Sequence, residues 1–406
     1  MSDFFHNGEI TTLHLLKNDN IEYLEDKLRK YTKQNPITLI LPSIFDEIKG
    51  EALPRIIDDL CNVDYLNEIV VTLGWSNHEQ FIEAKKFFSR LPQKLSIIWN
   101  TGPQIEELYN LLRESNIKVG EDGKGRSVWM AMGYVLARAN SLIIGLHDCD
   151  ILTYDRSLLA RLCYPVVNPI LNYEYCKGFY ARFSNKLHGR VVRLLVVPLV
   201  RSLKQLLGNI DFLEFIDSFR YPLSGEFCFH VDLARNIRIP YDWGLEIGLL
   251  GEIYRNCTKK RICQSELTDR YDHKHQPLIK GDNTKGIGKM SIDIIKSVLR
   301  ILTGSGVVIL PDFDRSLKAV YLRTATDYVA KYAHDAEING LEYDRHEEEN
   351  MVDIFEECLI RGIQEFFDYP FESPYIPNWN RVFDAIPDFG ERLIDAVNKD
   401  AKLSNV

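Results

Sequence analysis

Asp148 and Asp150 stand two residues apart where the apolar run Ser141-Leu-Ile-Ile-Gly-Leu146 ends, within His147-Asp148-Cys149-Asp150. A strand alternates its side chains between faces, so residues two apart point the same way. Two carboxylates aimed at one spot repel each other unless a cation sits between them. A hard divalent ion holding a diphosphate answers that need. Gly123-Lys124-Gly125-Arg126 lies upstream, at the start of the helical pattern that feeds this strand. The lysine is a point charge for phosphate, and its flanking glycines let backbone approach a ligand closely. A helix N-terminus there adds its own preference for anions. The Walker spacing Gly-x-x-x-x-Gly-Lys-Ser/Thr is absent.

Four further segments carry residues suited to a small-molecule site. Leu41-Pro42-Ser43-Ile44-Phe45-Asp46-Glu47 follows an apolar run. Asp46 there suits a base N–H or a ribose hydroxyl, and helix capping by Ser43 or Asp46 is an equal alternative. Tyr221-Pro222-Leu223-Ser224-Gly225-Glu226 is a turn with an acid after its glycine, and Pro240 to Gly248 is a loop opening a helix. Glu226, Asp242 and Glu246 suit sugar hydroxyls or an acceptor, and Trp243 offers an apolar face to a sugar ring. Asp272-His273-Lys274-His275 places two imidazoles on one side of an extended segment, and a neutral imidazole can complete a metal shell begun by Asp150. Lys177, Arg182, Lys186, His188, Arg190 and Arg193 either hold an acidic acceptor or form a solvated basic face. His334 and the run His346 to Glu349 read as surface charge.

These residues need a frame to position them. Ile37 to Leu41, Glu68 to Leu73, Leu95 to Trp99 and the run ending at Asp148 read as strands. Pro42-Ser43 ends the first. Leu53 to Leu60, His78 to Phe88, Gln104 to Glu114 and Arg126 to Ala139 read as the helices between them. Alternation of this kind implies an α/β fold with a mostly parallel sheet and helices on both faces. Ligands in such sheets sit at the C-terminal edge of the strands. Beyond Asp150, Cys176 to Arg182 reads as a strand and Val191 to Leu207 as a helix containing Pro198. From about Met290 the pattern is helical, with Ile292, Ile295, Val298, Leu299 and Leu302 on one stripe. The expected divisions are a helical preface over 1–35, a catalytic domain over 36–284 with its donor half reaching about residue 150, and a helical C-terminal region over 285–406.

Composition narrows the function. With 406 residues, 45% hydrophobic and 26% charged, the chain suits a globular protein of more than one domain. A net charge of -9 argues against general nucleic-acid binding. The eight cysteines form no Cys-x-x-Cys pair, so neither a zinc site nor a disulfide framework is expected. Cys61, Cys163, Cys228 and Cys358 lie among apolar neighbours and read as buried thiols. No signal peptide or bilayer-spanning run is evident, and a cytoplasmic setting with no membrane partner is expected.

From about residue 37 to 280 the chain carries, in order, strand-Leu-Pro-Ser, Gly-Lys-Gly, Asp-x-Asp, Lys-Gly-Phe-Tyr, Gly-Arg-Val, Pro-Leu-Ser-Gly-Glu, Gly-Leu-Glu-Ile-Gly-Leu-Leu and His-x-x-x-Pro-Leu. This series resembles the glucosyl-3-phosphoglycerate synthases, retaining glycosyltransferases of the GT-A (Rossmann-like) fold. The resemblance implies transfer of glucose from UDP- or GDP-glucose to the 2-hydroxyl of 3-phosphoglycerate, with Mg2+ or Mn2+ as cofactor and a homodimer as the assembly. It assigns Pro42, Ser43, Ile44 and Asp46 to the base and ribose. Lys124 falls on the diphosphate. Asp148, Cys149 and Asp150 frame the metal and donor, with Asp150 and His273 as the direct metal ligands. Leu223, Gly225 and Glu246 surround the donor sugar, and Arg190, Val192 and His275 fall at acceptor positions. Among these, Glu246, Asp150 and Lys124 are the candidate catalytic groups. Three positions depart from the family pattern. Val192 replaces a threonine, His275 an asparagine, and Phe45 a polar residue. These leave the base and the acceptor open, with glycerate or another small hydroxy acid as alternatives. Nucleotidyl transfer is the rival chemistry, and a non-catalytic sugar-nucleotide-binding protein the rival without chemistry.

Overall fold

The computed structural model describes His6 and residues 8–272, 286–369 and 372–403. Eight strands form one sheet: β1 (Thr11–Leu13), β2 (Ile37–Ile44), β3 (Leu66–Gly74), β4 (Leu95–Trp99), β5 (Ile143–Leu146), β6 (Tyr175–Arg182), β7 (Phe227–His230) and β8 (Ile262–Tyr271). Their order is β1-β8-β6-β7-β5-β2-β3-β4. Only β7 runs antiparallel, paired with β5 on one side and β6 on the other. Strands β2 to β5 therefore match the parallel α/β expectation, and the one reversed strand joins them to β6, β8 and β1.

Strand alternation divides the core into two layers. Ile40, Val70, Ile98, Ile144 and Leu146 face the helix Lys124–Arg138 and the C-terminal helices. Leu39, Leu41, Val71, Leu73 and Ile143 face the opposite way, against the helices Ala52–Leu60, His78–Phe88 and Arg156–Val167. All ten are buried, and full burial of such an aliphatic side chain contributes about 1.5–3 kcal/mol.

Three differences from the sequence reading have physical causes. The N-terminal preface supplies a strand as well as the helix Ile21–Tyr31, because β1 pairs with the edge of β8. β2 does not stop at Pro42 but continues to Ile44. Its partner β5 ends opposite Ile40, so beyond that point β2 is paired only with β3. A strand with one free side tolerates a residue lacking an N–H. The segment after Gly189 begins as a π-helix, Val191–Val196, and becomes α-helical over Val197–Leu207, so Pro198 falls in a first turn rather than mid-helix.

The C-terminal helices Gly286–Gly304, Phe313–Ile338, Arg345–Asp368, Trp379–Ala385 and Phe389–Ala401 close over the first layer. Trp379 stacks on Trp129 of the helix Lys124–Arg138, ring centres 4.2 Å apart, and its indole N–H donates to the Trp129 carbonyl at 3.1 Å. The last two of these helices thus pack directly on the element that carries Lys124. Cys163, Cys228 and Cys358 are buried as expected, whereas Cys61 is only half-buried. No helix among the described residues is long and apolar enough to cross a membrane.

Candidate active site

The C-terminal edge of β5 and the start of the helix Lys124–Arg138 bring opposite charges together. Lys124 lies in the first turn of that helix, behind the extended Gly123. Its Nζ meets Asp148 Oδ1 at 2.6 Å and Glu246 Oε1 at 3.3 Å. Glu246 lies in the first turn of a second helix, Leu245–Asn256. Two helix N-termini therefore converge on one point, and their free N–H groups favour an anion there. Burial works against the Lys124 charge, but Asp148 and Glu246 outweigh it and hold the ammonium more firmly protonated than usual.

The glycines of Gly123-Lys124-Gly125 serve packing more than ligand approach. A Cβ on Gly125 would lie 2.9 Å from Tyr241 Cα, so this glycine seats the helix start against the Pro240–Tyr241 backbone. Gly225 makes the closer approach to chemistry: a Cβ there would fall 2.7 Å from Asp148 Cγ. The turn carrying Gly225 presses its bare backbone onto the acid.

A buried polar network fixes that turn. Lys177 is fully buried and donates to the Ser224 carbonyl at 2.7 Å. Burial pushes its pKa down to about 8. Glu226 is also fully buried and accepts from Tyr180 at 2.6 Å, Tyr271 at 2.9 Å and Ser224 Oγ at 3.0 Å. The Tyr180 and Tyr271 rings stack 3.5 Å apart. The sequence reading offered Glu226 to sugar hydroxyls and Lys177 to an acidic acceptor or a solvated face. Both instead lie beneath the site, with their polar atoms spent on protein. Asp242 caps its own turn, accepting from the Gly244 N–H at 2.9 Å, while Trp243 stays exposed.

Asp150 differs from every other acid here. Its Oδ1 is buried and has no hydrogen-bond partner among the described residues. Burial first, then the Asp148 and Glu47 carboxylates, push its pKa up to about 8. Glu47, which the sequence reading passed over, reaches back to accept from the Ile44 N–H at 3.1 Å, and burial lifts its pKa to about 7. It is Glu47, not Ser43 or Asp46, that satisfies the start of the short helix Phe45–Ile48. Ser43 is buried and Asp46 exposed, and both remain beside the end of β2. The Cys149 side chain packs in the second core layer, so any donor contact there belongs to its backbone. The buried His147 donates its Nδ1–H to the Asp148 carbonyl at 2.9 Å, and burial lowers its pKa to about 4. The oxygen set of Asp148 and Asp150, with the Asp150 Oδ1 left without a partner among the described residues, fits a hard divalent ion.

The residues expected at the acceptor are distributed less simply. Gly189 approaches the Tyr221 ring, which opens the Gly225 turn; a Cβ on Gly189 would lie 3.6 Å from that ring. Arg190 follows, but its guanidinium is engaged by Glu347 at 2.9 Å and Glu348 at 2.6 Å. Val192 is buried in the core. Glu348, read from sequence as surface charge, is buried between Arg190 and Arg193. His273 and His275 lie outside the described residues.

No protein-family model matches the chain. Two curated relatives match nearly its whole length. Glucosyl-3-phosphoglycerate synthase of Persephonella marina is 44% identical over 98% of this chain and 99% of its own length. That of Methanococcoides burtonii is 39% identical over 98% of each. Solved structures of glucosyl-3-phosphoglycerate synthase from Mycobacterium tuberculosis share the fold at 20% identity. One, in complex with Mn2+ and UDP-glucose, covers 75% of this chain and 92% of its own with a TM-score of 0.53. Another, with Mn2+, UDP-glucose and phosphoglyceric acid, covers 72% and 87% with a TM-score of 0.52. With that identity sustained from end to end, this chain belongs to the glucosyl-3-phosphoglycerate synthase family of glycosyltransferases.

Proposed function

We propose that this protein transfers the glucosyl group of UDP-glucose to the 2-hydroxyl of 3-phosphoglycerate, with retention at the anomeric carbon. The observation that carries this reading is the convergence of Lys124, Asp148 and Glu246 at two helix N-termini, beside an unpartnered Asp150 oxygen. Family membership and the ligands named for the mycobacterial structures support it.

Each residue then has a task. Pro42, Ser43, Ile44 and Asp46 border the uridine. Asp150 and Asp148 would hold Mg2+ or Mn2+, with His273 as a further donor by family resemblance. When bound, such an ion neutralises charge on the diphosphate. Lys124 and the free N–H groups of its helix stabilise the negative charge that grows on the leaving oxygen. The bond from the anomeric carbon to the diphosphate breaks. The acceptor oxygen bonds to that carbon on the same face, and its proton passes to the departing diphosphate. Glu246, facing Lys124, orients the sugar and the acceptor hydroxyl. Leu223 and Gly225 wall the sugar pocket, and Arg190 grips the acceptor's anionic end. The reaction needs only soluble substrates, which suits a cytoplasmic setting, and the family resemblance implies a homodimer.

A product assay tests the proposal. UDP-glucose or GDP-glucose is incubated with 3-phosphoglycerate or glycerate and Mg2+, and products are identified by mass and NMR. An α-glucosyl phosphoglycerate that disappears with EDTA is the expected result. Pyrophosphate release would point to nucleotidyl transfer instead, and donor binding without any product would defeat the catalytic reading.

A further inference from the structure

The carboxylates on Arg190 are unequal. Glu348 is 4% exposed at its side chain and spends both oxygens on arginines, Oε1 on Arg190 at 2.6 Å and Oε2 on Arg193 at 2.8 Å. Arg193 is fixed further by donating to the His188 carbonyl at 2.8 Å and by lying over the Tyr332 ring. Removing Glu348 would strand two partly buried cations, so it cannot leave cheaply. Glu347 is 60% exposed, and among the described residues its side chain makes one ion pair, Oε2 to Arg190 Nη2 at 2.9 Å. Its backbone N–H is held by the Asp344 cap at 3.0 Å, so the side chain can swing away without moving the helix.

Both acids come from the first turn of Arg345–Asp368, far in sequence from the segment they touch. That region meets the acceptor side twice. The backbones of Lys186 and Glu342 form a single parallel β-bridge, in which the Glu342 N–H donates to the Asn185 carbonyl at 2.8 Å, just before Gly189 and Arg190.

We propose that Glu347 occupies the place of the acceptor's anionic group on Arg190 and is displaced by it, while Glu348 is the fixed positioning residue that aims the guanidinium. The proposal rests on Arg190 being the acceptor grip. With Glu347 in place, the two arginines and two carboxylates are neutral together and attract no anion. With it displaced, one positive charge faces the acceptor phosphate or carboxylate. Glu347 therefore sets acceptor affinity and favours acceptors whose anionic group competes well for a guanidinium.

The test is steady-state kinetics of full-length E347Q, E348Q and R190A. An exposed ion pair shifts its own equilibrium by a factor of roughly 1.5–5. Removing the competitor should then lower the KM for 3-phosphoglycerate by about two- to sixfold. The KM for UDP-glucose and kcat should stay unchanged, which a general effect on folding would not give. E348Q should raise the acceptor KM at least ~10-fold, because the guanidinium loses its charged anchor. An unchanged or raised acceptor KM in E347Q, with R190A raising it strongly, overturns the proposal and leaves the acceptor assignment standing. An unchanged KM in both E347Q and R190A overturns the assignment of Arg190 as well.

Discussion

Gly225→Ala isolates the contact between the fixed turn and the acid at the reaction centre. The added Cβ would lie 2.7 Å from Asp148 Cγ and 2.9 Å from Oδ1. Carbon contacts sit near ~3.5–4.0 Å, so something must retreat by roughly 1 Å. The turn is poorly placed to give. Ser224 is tied to Lys177, and the Glu226 carbonyl accepts from the Gly178 N–H at 2.9 Å. Asp148 moves instead, which stretches its 2.6 Å pairing with Lys124. A misplacement of ~1 Å in an active site costs about 100-fold in rate, or ~2.7 kcal/mol of barrier. Gly225 is not among the positive-φ residues, so alanine brings no backbone strain. The expected result is a 100-fold lower kcat, a higher Mg2+ requirement and a Tm within a few degrees of wild type. Initial rates across a Mg2+ titration, with thermal melts alongside, measure all three. G304A is the control, since nothing lies within 4 Å of a Cβ there. Activity of G225A within threefold of wild type would refute the claim that Asp148 and this turn are in register.

Other expectations follow from the same geometry. Asp150 and Glu47 have pKa values lifted by burial, to about 8 and about 7. Their stabilising contribution is therefore full below the ordinary carboxylate range and is lost as pH rises through 7 and 8. Melts in EDTA and in Mg2+ should diverge progressively between pH 5 and 8, and a constant gap would remove Asp150 from the metal site. K177M keeps the side-chain volume and removes a buried charge, but leaves the Ser224 carbonyl unpaired, at about 1–3 kcal/mol. We expect kcat to fall ~10-fold with the acceptor KM unchanged; a normal kcat would mean that the turn holds itself. Trp75 has φ 42° and is 64% exposed, directly after Gly74, which pairs with Ile44 at the end of β2. W75G relieves left-handed strain of about 1–2 kcal/mol, offset by about 0.5–1 kcal/mol of glycine's own conformational entropy, so a small rise in Tm is expected. A lower Tm would show that the indole is held for packing.

What sequence could and could not show divides along physical lines. Short-range periodicity located β4 and the helix His78–Phe88 to the residue, because alternation and helical spacing are local properties. β7 and β8 escaped notice. Phe227–His230 is too short for a pattern, and Ile262–Tyr271 mixes polar residues into its length. The charged end of the site was legible because Asp-x-Asp and Gly-Lys-Gly are local motifs. Its support was not. Tyr271 reaches Glu226 across 45 residues, and Glu348 reaches Arg193 across 155. Nothing in the run His346 to Glu349 marks which acid turns inward, and a helix start rich in acids ordinarily reads as dipole complement. The one usable signal was charge matching: a basic stretch at 182–193 in a net acidic chain needs partners.

The balance of charge at the sheet edge decides how substrates can bind. Asp148, Asp150, Glu47, Glu226 and Glu246 act on one another and on Lys124, with Lys177 beneath them. Even with Asp150 largely protonated at neutral pH, the acids here outnumber the two ammonium groups and disfavour a nucleotide diphosphate. The lifted pKa values of Asp150, Glu47 and Glu226 record that same repulsion together with burial. A divalent cation held by Asp148 and Asp150 would reverse the sign of the field locally and so would favour donor binding. The acceptor faces the same problem with more negative charge of its own. Its phosphate cannot rest near the acids. On the proposed function it is held at a distance by a cation that those acids do not neutralise, the role proposed for Arg190, which pairs with the C-terminal helix through Glu347 and Glu348. If both assignments hold, the sheet edge selects the donor and the helices packed over it select the acceptor, so substitutions at Glu347 should change the acceptor KM and leave the donor KM alone.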